Sequence, residues 1–335
     1  MSLFINTNIS SLTAQRAAQR ANDKLDAVFE RLASGNRINS AKDDAAGIQV
    51  ANNLTTQLNG LNQGNRNAQD AIAFAQTVEG ALDEVTNMLQ RIRTLAIQAA
   101  TATTTNPDRE SIQSEVDALT DEICRISDET TFAGADMLNG NASIVRFQCG
   151  PDPSSIIEFD LSSPYDVDGL AQLAQRFLPS QTLTAAIEID GVSYKEGDKI
   201  EGYLKSTVKD ANNNDVVSYK KFEDLFQNRG KESGISLTSA ENAEWVLGGI
   251  DYLITVVDST RADLGAMQNR LESTVRNQDS IKENVMDSRS RIQDTDFAED
   301  TANLTQYQII QQATATILTQ ANQRPQIALS LISGN

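Results

Sequence analysis

This sequence predicts a mainly α-helical fold: a long antiparallel coiled-coil or helical-bundle rod formed by both chain ends, with a small β-rich central insert. Three observations carry that prediction. Apolar residues recur at alternating three- and four-residue steps from Leu54 to Ala99 and again from Ile250 to Ile292. Between these runs, Gly and Pro punctuate short stretches that alternate apolar and polar residues, as strands do. Aromatic residues make up 5% of the 335-residue chain, with one Trp, which favours an elongated helical body over a thick globular core. A 3.5-residue repeat places a narrow apolar seam along a helix, and that seam must bury against another helix.

The elements follow in order. A first helix is predicted over residues 7–33, with Ala18, Ala21, Leu25, Val28 and Leu32 on one ladder, stopped by Gly35-Asn36. Ser40 with Asp43 has the form of a capping box, which places the start of a second helix at Ala41. That helix continues to about Ala100, its ladder slipping once at Ile72, Ala75 and Val78. Asn106-Pro107 then reads as a cap followed by proline at the first helical position. The third helix, 107–128, carries Ile112, Val116, Leu119, Ile123 and Ile126. Residues 130–179 read as hairpins built on Ser143–Gln148 and Ile156–Leu161, and 180–237 continue as β structure with a turn at Asp190-Gly191. Helical patterning resumes at Ser239. Asp296 with Glu299 caps a last amphipathic helix through Tyr307, Ile310, Ile317 and Ala321, with Pro325 near its end. An apolar, charge-free tail with Ile327, Leu329, Leu331 and Ile332 follows.

These elements divide into an inner terminal coiled coil (1–40 and 296–335), a helical rod with hairpins (41–179 and 238–295) and a small outer domain (180–237). The seams of the rod helices can bury one another within one chain. The terminal seam of Leu25, Val28, Leu32, Tyr307, Ile310, Ile317, Leu329 and Leu331 is not satisfied by an isolated helix, because helices in water are marginal without packing. The arms are therefore expected to order on association with other copies. Their charges are complementary: Arg16, Arg20, Lys24, Arg31 and Arg37 outnumber acids in the first forty residues, and acids dominate the last forty. Exposed charges add little to that pairing.

Composition excludes several classes. The chain holds 46 acidic and 28 basic residues, a net charge of −18, which argues against nucleic-acid or anionic-membrane partners. Its apolar runs are too short to span a membrane. The N-terminus has no basic segment followed by an apolar one, so export, if it occurs, is expected to leave that end intact. There is no histidine, which removes Ser/His/Asp triads, HExxH zinc sites and Cys/His nucleophile pairs. Gly230-Lys231 lacks the spacing of a phosphate loop. Asp210–Asp215 lacks the glycine and glutamate of a calcium loop, with Lys221 at the twelfth position, and reads as a surface turn. Cys124 and Cys149 fit no metal or redox spacing. No catalytic, cofactor or metal site is expected.

One further surface stands out. Leu89, Ile92, Ala96 and Ala99 continue the core ladder, while Arg91, Leu95 and Gln98 form a stripe on the adjacent face, with Glu115 beside the core residue Val116 on the next helix. The residues alone read this as a subunit or peripheral core contact.

Long motifs resemble the bacterial flagellins. Arg31-Leu32-Ala33-Ser34-Gly35-Asn36-Arg37-Ile38-Asn39-Ser40-Ala41-Lys42-Asp43-Asp44-Ala45-Ala46-Gly47 is similar to that family's N-terminal signature, as are Ile5-Asn6-Thr7-Asn8 and the run Ala75–Leu82. Arg261–Arg270, Ser290-Arg291-Ile292 and Gln320-Ala321-Asn322-Gln323 resemble its C-terminal signature. The resemblance covers about residues 1–140 and 236–335. It implies a secreted, extracellular subunit of the flagellar filament, a helical homo-oligomer, exported unfolded by the flagellar type III route. It implies an export chaperone, cap and hook-associated proteins as partners. It also implies a spoke in which Arg37, Asn39, Lys42 and Asp43 contact neighbouring subunits. By the same resemblance, Gln90, Arg91, Leu95, Ile112 and Glu115 match a surface recognised by a host Toll-like receptor; with Gln98 of the stripe they make up a receptor-recognition or axial-contact patch. The competing readings are a hook–filament junction protein, which shares the terminal architecture, and a cytoplasmic coiled-coil signalling module.

Overall fold

The structure, a computed structural model, describes residues 8–183, 187–189, 192–195, 198–209, 215–226 and 235–333. The turn at Asp190-Gly191, Gly230-Lys231 and all but the last residue of Asp210–Asp215 lie outside the described residues, as do the side chains of Leu329 and Leu331. The chain groups into two compact units, residues 1–62 with 279–335 and residues 63–278. Both borders fall inside long helices, α2 (Ala45–Ala100) and α6 (Ala240–Gln293), and not at the helix breaks that define the sequence-based division.

In the first unit, α1 (Ile9–Ser34) starts at Asn8, whose side-chain oxygen accepts from the Ser11 N–H at 3.1 Å. It stops at Gly35, which takes the left-handed conformation (φ 73°) that costs a glycine nothing and sends its N–H to the Arg31 carbonyl. The second helix begins at Ala45, later than the capping-box pattern predicts. Asp43 accepts from the N–H groups of Asn39 and Ser40 and from the Ser40 hydroxyl, closing a turn behind it. Asp44 is the cap, accepting from the Gly47 N–H at 2.9 Å.

The last helix, α7 (Phe297–Ser333), is capped by Asp296, which accepts from Ala298 and Glu299 N–H groups. It continues through Pro325 instead of ending there. A proline inside a helix removes one ladder hydrogen bond without forbidding the helix.

Helices α1 and α7 pair antiparallel. Asn8 donates to the Ala321 carbonyl at 2.7 Å, Ser11 to Asn322 at 2.7 Å, and Gln311 to Asn22 at 2.8 Å; Lys24 lies 5.5 Å from the Tyr307 ring centre. The buried residues are mostly small, with Ala14, Ala21 and Val28 on α1 and Asp300, Thr314 and Ala321 on α7. Leu25, Leu32, Tyr307 and Ile310 are half-buried. Ile317 is not in this seam. From Asn303 the inward residues are Tyr307, Ile310, Thr314, Leu318 and Ala321, which averages the 3.6-residue period of a straight helix. That drift brings Leu318 inward and turns Ile317 out.

In the second unit, α3 (Asn106–Glu129) is capped by Thr105 in a reciprocal box with Asp108, one residue before the predicted cap at Asn106. Arg109 closes the end of α2 from there, donating to the carbonyls of Ala99 and Thr101. The buried face of α3 runs Arg109, Ile112, Val116, Thr120, Ile123 and Ser127. Ser239 caps α6, as the sequence predicts, accepting from the Asn242 N–H at 3.1 Å. Antiparallel pairs join α2 to α6: Asp83–Arg261 at 2.7 Å, Arg93–Asp251 at 2.6 Å, and Gln268 donating to Glu79 at 2.8 Å.

The runs Ser143–Gln148 and Ile156–Leu161 form the predicted hairpin, β3 (Ile144–Gln148) with β4 (Ile156–Asp160), and a further short one, β1 (Thr131–Phe132) with β2 (Ala135–Asp136), precedes it; both are antiparallel. The inward residues of β3 and β4 meet Phe74 of α2, whose ring lies 5.4 Å from those of Phe147 and Phe159 and 5.6 Å from Phe132. Residues 130–179 are not all hairpin. They include α4 (Val167–Ala174), which buries Val167, Leu170, Ala171 and Ala174, a helical spacing, and is capped by Asp166. The insert continues with β5 (Gln181–Thr182), β6 (Ile187–Ile189), β7 (Val192–Tyr194), β8 (Lys199–Ile200), β9 (Tyr203–Lys209), β10 (Asp215–Lys221) and a short helix α5 (Phe222–Phe226). Strands β9 and β10 pair antiparallel, as do β6 with β7 and β5 with β8.

Burial pushes the Asp166 carboxyl above its ordinary range, and the neighbouring charges of Asp168 and Asp128 add to the rise, partly offset by the Gly169 N–H. A carboxyl with a raised folded pKa favours the protonated form, so its unfavourable contribution grows as pH climbs from the unfolded pKa through the raised folded one. Asp166→Asn keeps the cap acceptor and removes the charge. It is expected to raise the thermal midpoint at pH 7 and to leave it unchanged near pH 3; an equal shift at both would assign the effect to packing.

Candidate interaction surfaces

The segment between α1 and α2 is built against the end of α6 within the same chain. The Arg37 N–H donates to the Gln293 carbonyl and its guanidinium to the Ile292 carbonyl, each at 2.6 Å, while Thr295 donates to the Gly35 carbonyl at 3.0 Å. Asn36 and Asp294 form a β-bridge. A guanidinium on the last carbonyls of a helix satisfies orphan acceptors and meets the negative end of the helix dipole. Asn39 donates to the Asn36 carbonyl at 3.1 Å. The Ser40 backbone, then its hydroxyl and the Asn39 N–H, hold the Asp43 carboxyl below its usual range. Lys42 is exposed. Sequence pattern alone could not show that these hydrogen bonds close within one chain, since the partners of Gly35 and Arg37 lie far along it, at residues 292–295.

On α2 and α3, Arg91 and Glu115 form an ion pair at 2.6 Å, with both side chains about half exposed, and Gln90 and Gln98 are exposed. Leu95 and Ile112 are not on that surface. They are 2% and 7% exposed and belong to the core. Because α2 packs against both α3 and α6, its buried face is wider than a two-helix seam and takes in Leu95 beside Ala96. The stripe is thus polar outside and anchored from below.

Of a second feature, sequence reading named only Ile317. In the first unit, Ile309 and Ile317 are 61% and 54% exposed, and Ile9, Leu12, Phe29 and Phe297 are also exposed. Six large apolar side chains point outward from the two paired helices. The fully buried positions of the α1·α7 seam are mostly small, with Leu25, Leu32, Tyr307, Ile310 and Leu318 half-buried beside them, and the six outward side chains fall outside that pairing.

Both cysteines are free, Cys149 buried and Cys124 half-buried, and burial pushes both thiols above their usual range. Cys149 lies where β3 ends, its carbonyl accepting from the Gln278 amide and its backbone set close to Gly64, where a Cβ would come within 2.8 Å of that carbonyl. Among the described residues, no group of three or more His, Cys, Asp or Glu is placed to hold a metal, and no helix is long and apolar enough to cross a membrane.

Comparison with known proteins bears on the same regions. The family model for the bacterial flagellin N-terminal helical region matches residues 5–143, and that for the C-terminal helical region matches residues 247–332. Flagellin A of Vibrio cholerae is 39% identical over 380 aligned positions, covering 99% of this chain and 100% of that one. Flagellin D of Vibrio anguillarum is 38% identical with the same coverage. Among solved structures, Bacillus cereus flagellin aligns with a TM-score of 0.41 at 22% identity, over 64% of this chain and 88% of that one.

Proposed function

The chain belongs to the bacterial flagellin family, and on that premise we propose how it serves as a structural subunit of the flagellar filament. The observation that carries the proposal is the outward apolar set on α1 and α7: Ile9, Leu12, Phe29, Phe297, Ile309 and Ile317. In a lone chain these side chains face water; copies of the same chain laid alongside would cover them. These side chains are about half exposed, so covering each contributes about half of the roughly 1.5–3 kcal/mol of full burial, and repetition along a polymer multiplies that gain. The subunit is exported unfolded through the flagellar type III apparatus, with an export chaperone, a cap and hook-associated proteins as partners. The two-helix α1·α7 pair with its small-residue seam supports this, because a thin interface orders late and yields readily. Arg37, Asn39 and Asp43 then set the geometry of the spoke from within the subunit, leaving Lys42 for contacts with neighbours. Electron microscopy of concentrated purified protein tests the reading: long regular filaments are expected, and monomers that never elongate would favour a hook–filament junction role.

A second role rests on the exposed polar patch. Gln90, Arg91, Gln98 and Glu115 form a surface for a host Toll-like receptor, with Leu95 and Ile112 holding it from beneath. Monomer, and not filament, is the activating form. Arg91→Glu is expected to abolish reporter activation by monomer while leaving the circular dichroism spectrum unchanged; intact activation would remove Arg91 from the patch.

A further inference from the structure

We propose that the insert is latched onto α6 around a keyed contact, Phe226 seated in a notch at Gly249, and that releasing this key frees the insert while the long helices stay folded. Helix α6 carries two adjacent glycines well inside its length, where glycine is less favourable than alanine. They differ sharply in surroundings. A Cβ on Gly249 would lie 2.6 and 2.7 Å from two ring carbons of Phe226 and 3.1 Å from a methyl of Leu204, whereas a Cβ on Gly248 would meet nothing within 4 Å. Only Gly249 has a steric reason to lack a side chain, and that reason is the insert.

The knob is rigid. Phe226 and Phe222 are fully buried, their ring centres 4.8 Å apart, and Phe222 sits edge-on to Tyr252 of α6 at 6.3 Å. A polar strap runs beside it: Lys220 of β10 donates to Asn242 at 3.1 Å and lies over the Trp245 ring, 5.4 Å from its centre. The preceding residue on that strand, Tyr219, packs instead with Leu183, Ile200 and Tyr203 in a small cluster separate from the main core. Alternation along β10 thus gives the insert one face for its own core and one for the latch.

The test uses the full-length monomer, with Trp245 as the single tryptophan reporter. Gly249→Ala is expected to shift Trp245 emission to the red and to increase its quenching by acrylamide, with the helical circular dichroism and the main melting transition kept. Phe226→Ala, which removes the knob without a clash, is expected to give the same Trp245 change and to keep the helical circular dichroism, with the transition lowered by the loss of one buried ring. Gly248→Ala should leave the emission at its parent value. Trp245 that stays shielded in both latch variants would overturn the proposal. So would loss of the helical signal in both, because the insert would then not be separable from the helices.

Discussion

Phe74→Ala is expected to destabilise the unit spanning residues 63–278 by about 3–5 kcal/mol, the usual range for truncating a fully buried phenylalanine. The side chain is 1% exposed and lies within 5.4–5.6 Å of three other rings, those of Phe132, Phe147 and Phe159. The loss has three parts: the transfer energy of the ring, the cavity it leaves, and aromatic contacts worth about 0.5–1.5 kcal/mol each beyond area. The cavity cannot close easily, because Phe147 and Phe159 are fixed by the β3–β4 ladder. For a unit of this size each kcal/mol corresponds to about 2–4 °C, so calorimetry should show the transition about 6–20 °C lower. Near-ultraviolet circular dichroism should lose its aromatic signal at the same time. Phe74→Leu, which keeps most of the volume, should fall well short of that loss. A shift below about 2 °C for the alanine variant would mean that the hairpins do not depend on this cluster.

Phe74 also marks where sequence reading stopped short. The ladder through Ala75 and Val78 was legible because helix partners impose it, although the fully buried residue one turn before them is Ala71 and Ile72 is only partly buried; Phe74 faces the hairpins, and nothing in the local pattern announces a partner about seventy residues away. The ladder had a second limit. Read at 3.5 residues, α3 has a seam through Leu119 and Ile126; in the fold, Thr120 and Ser127 are buried at 0% and 1% and the two apolar residues only partly. Straight helices step at 3.6 residues, so a strict heptad reading drifts off the buried face within a few turns. The same drift separates Ile317 from Leu318 on α7.

Caps divide in the same way. Gly35, Ser239 and Asp296 were legible because each acts on its immediate neighbours. The start of α2 was misplaced because two adjacent aspartates compete, and Asp43 turns back to Asn39 and Ser40 while Asp44 takes the helix. The α4 helix was hidden by the Gly and Pro around it, although its own residues, Val167, Leu170, Ala171 and Ala174, have helical spacing. The candidate surface was half legible. Arg91 is read from its place on the helical stripe and Glu115 from its place beside Val116, but the burial of Leu95 follows from α2 having two helical partners, which one helix's pattern cannot reveal.

Ile317→Asp is expected to abolish filament growth while leaving the monomer as it was. In the single chain this side chain is 54% exposed, so an aspartate there finds water and disturbs no intrachain packing. Between copies the balance reverses. Covering the exposed half of this isoleucine contributes about 0.8–1.5 kcal/mol, and an unpaired carboxylate in the same place must shed its hydration or hold the copies apart. Every added subunit repeats that penalty, and the net charge of −18 leaves little basic surface to offset it. Elongation should therefore stop at protein concentrations where the parent polymerises fully, as read by sedimentation and electron microscopy. Ile317→Leu should retain growth, since it keeps the apolar area. Ile309→Asp, on the same helix and 61% exposed, should behave like Ile317→Asp, because both residues point outward from α7. Filaments from both aspartate variants at the parent's rate would show that copies do not meet across this face, and the outward isoleucines would then need a different partner.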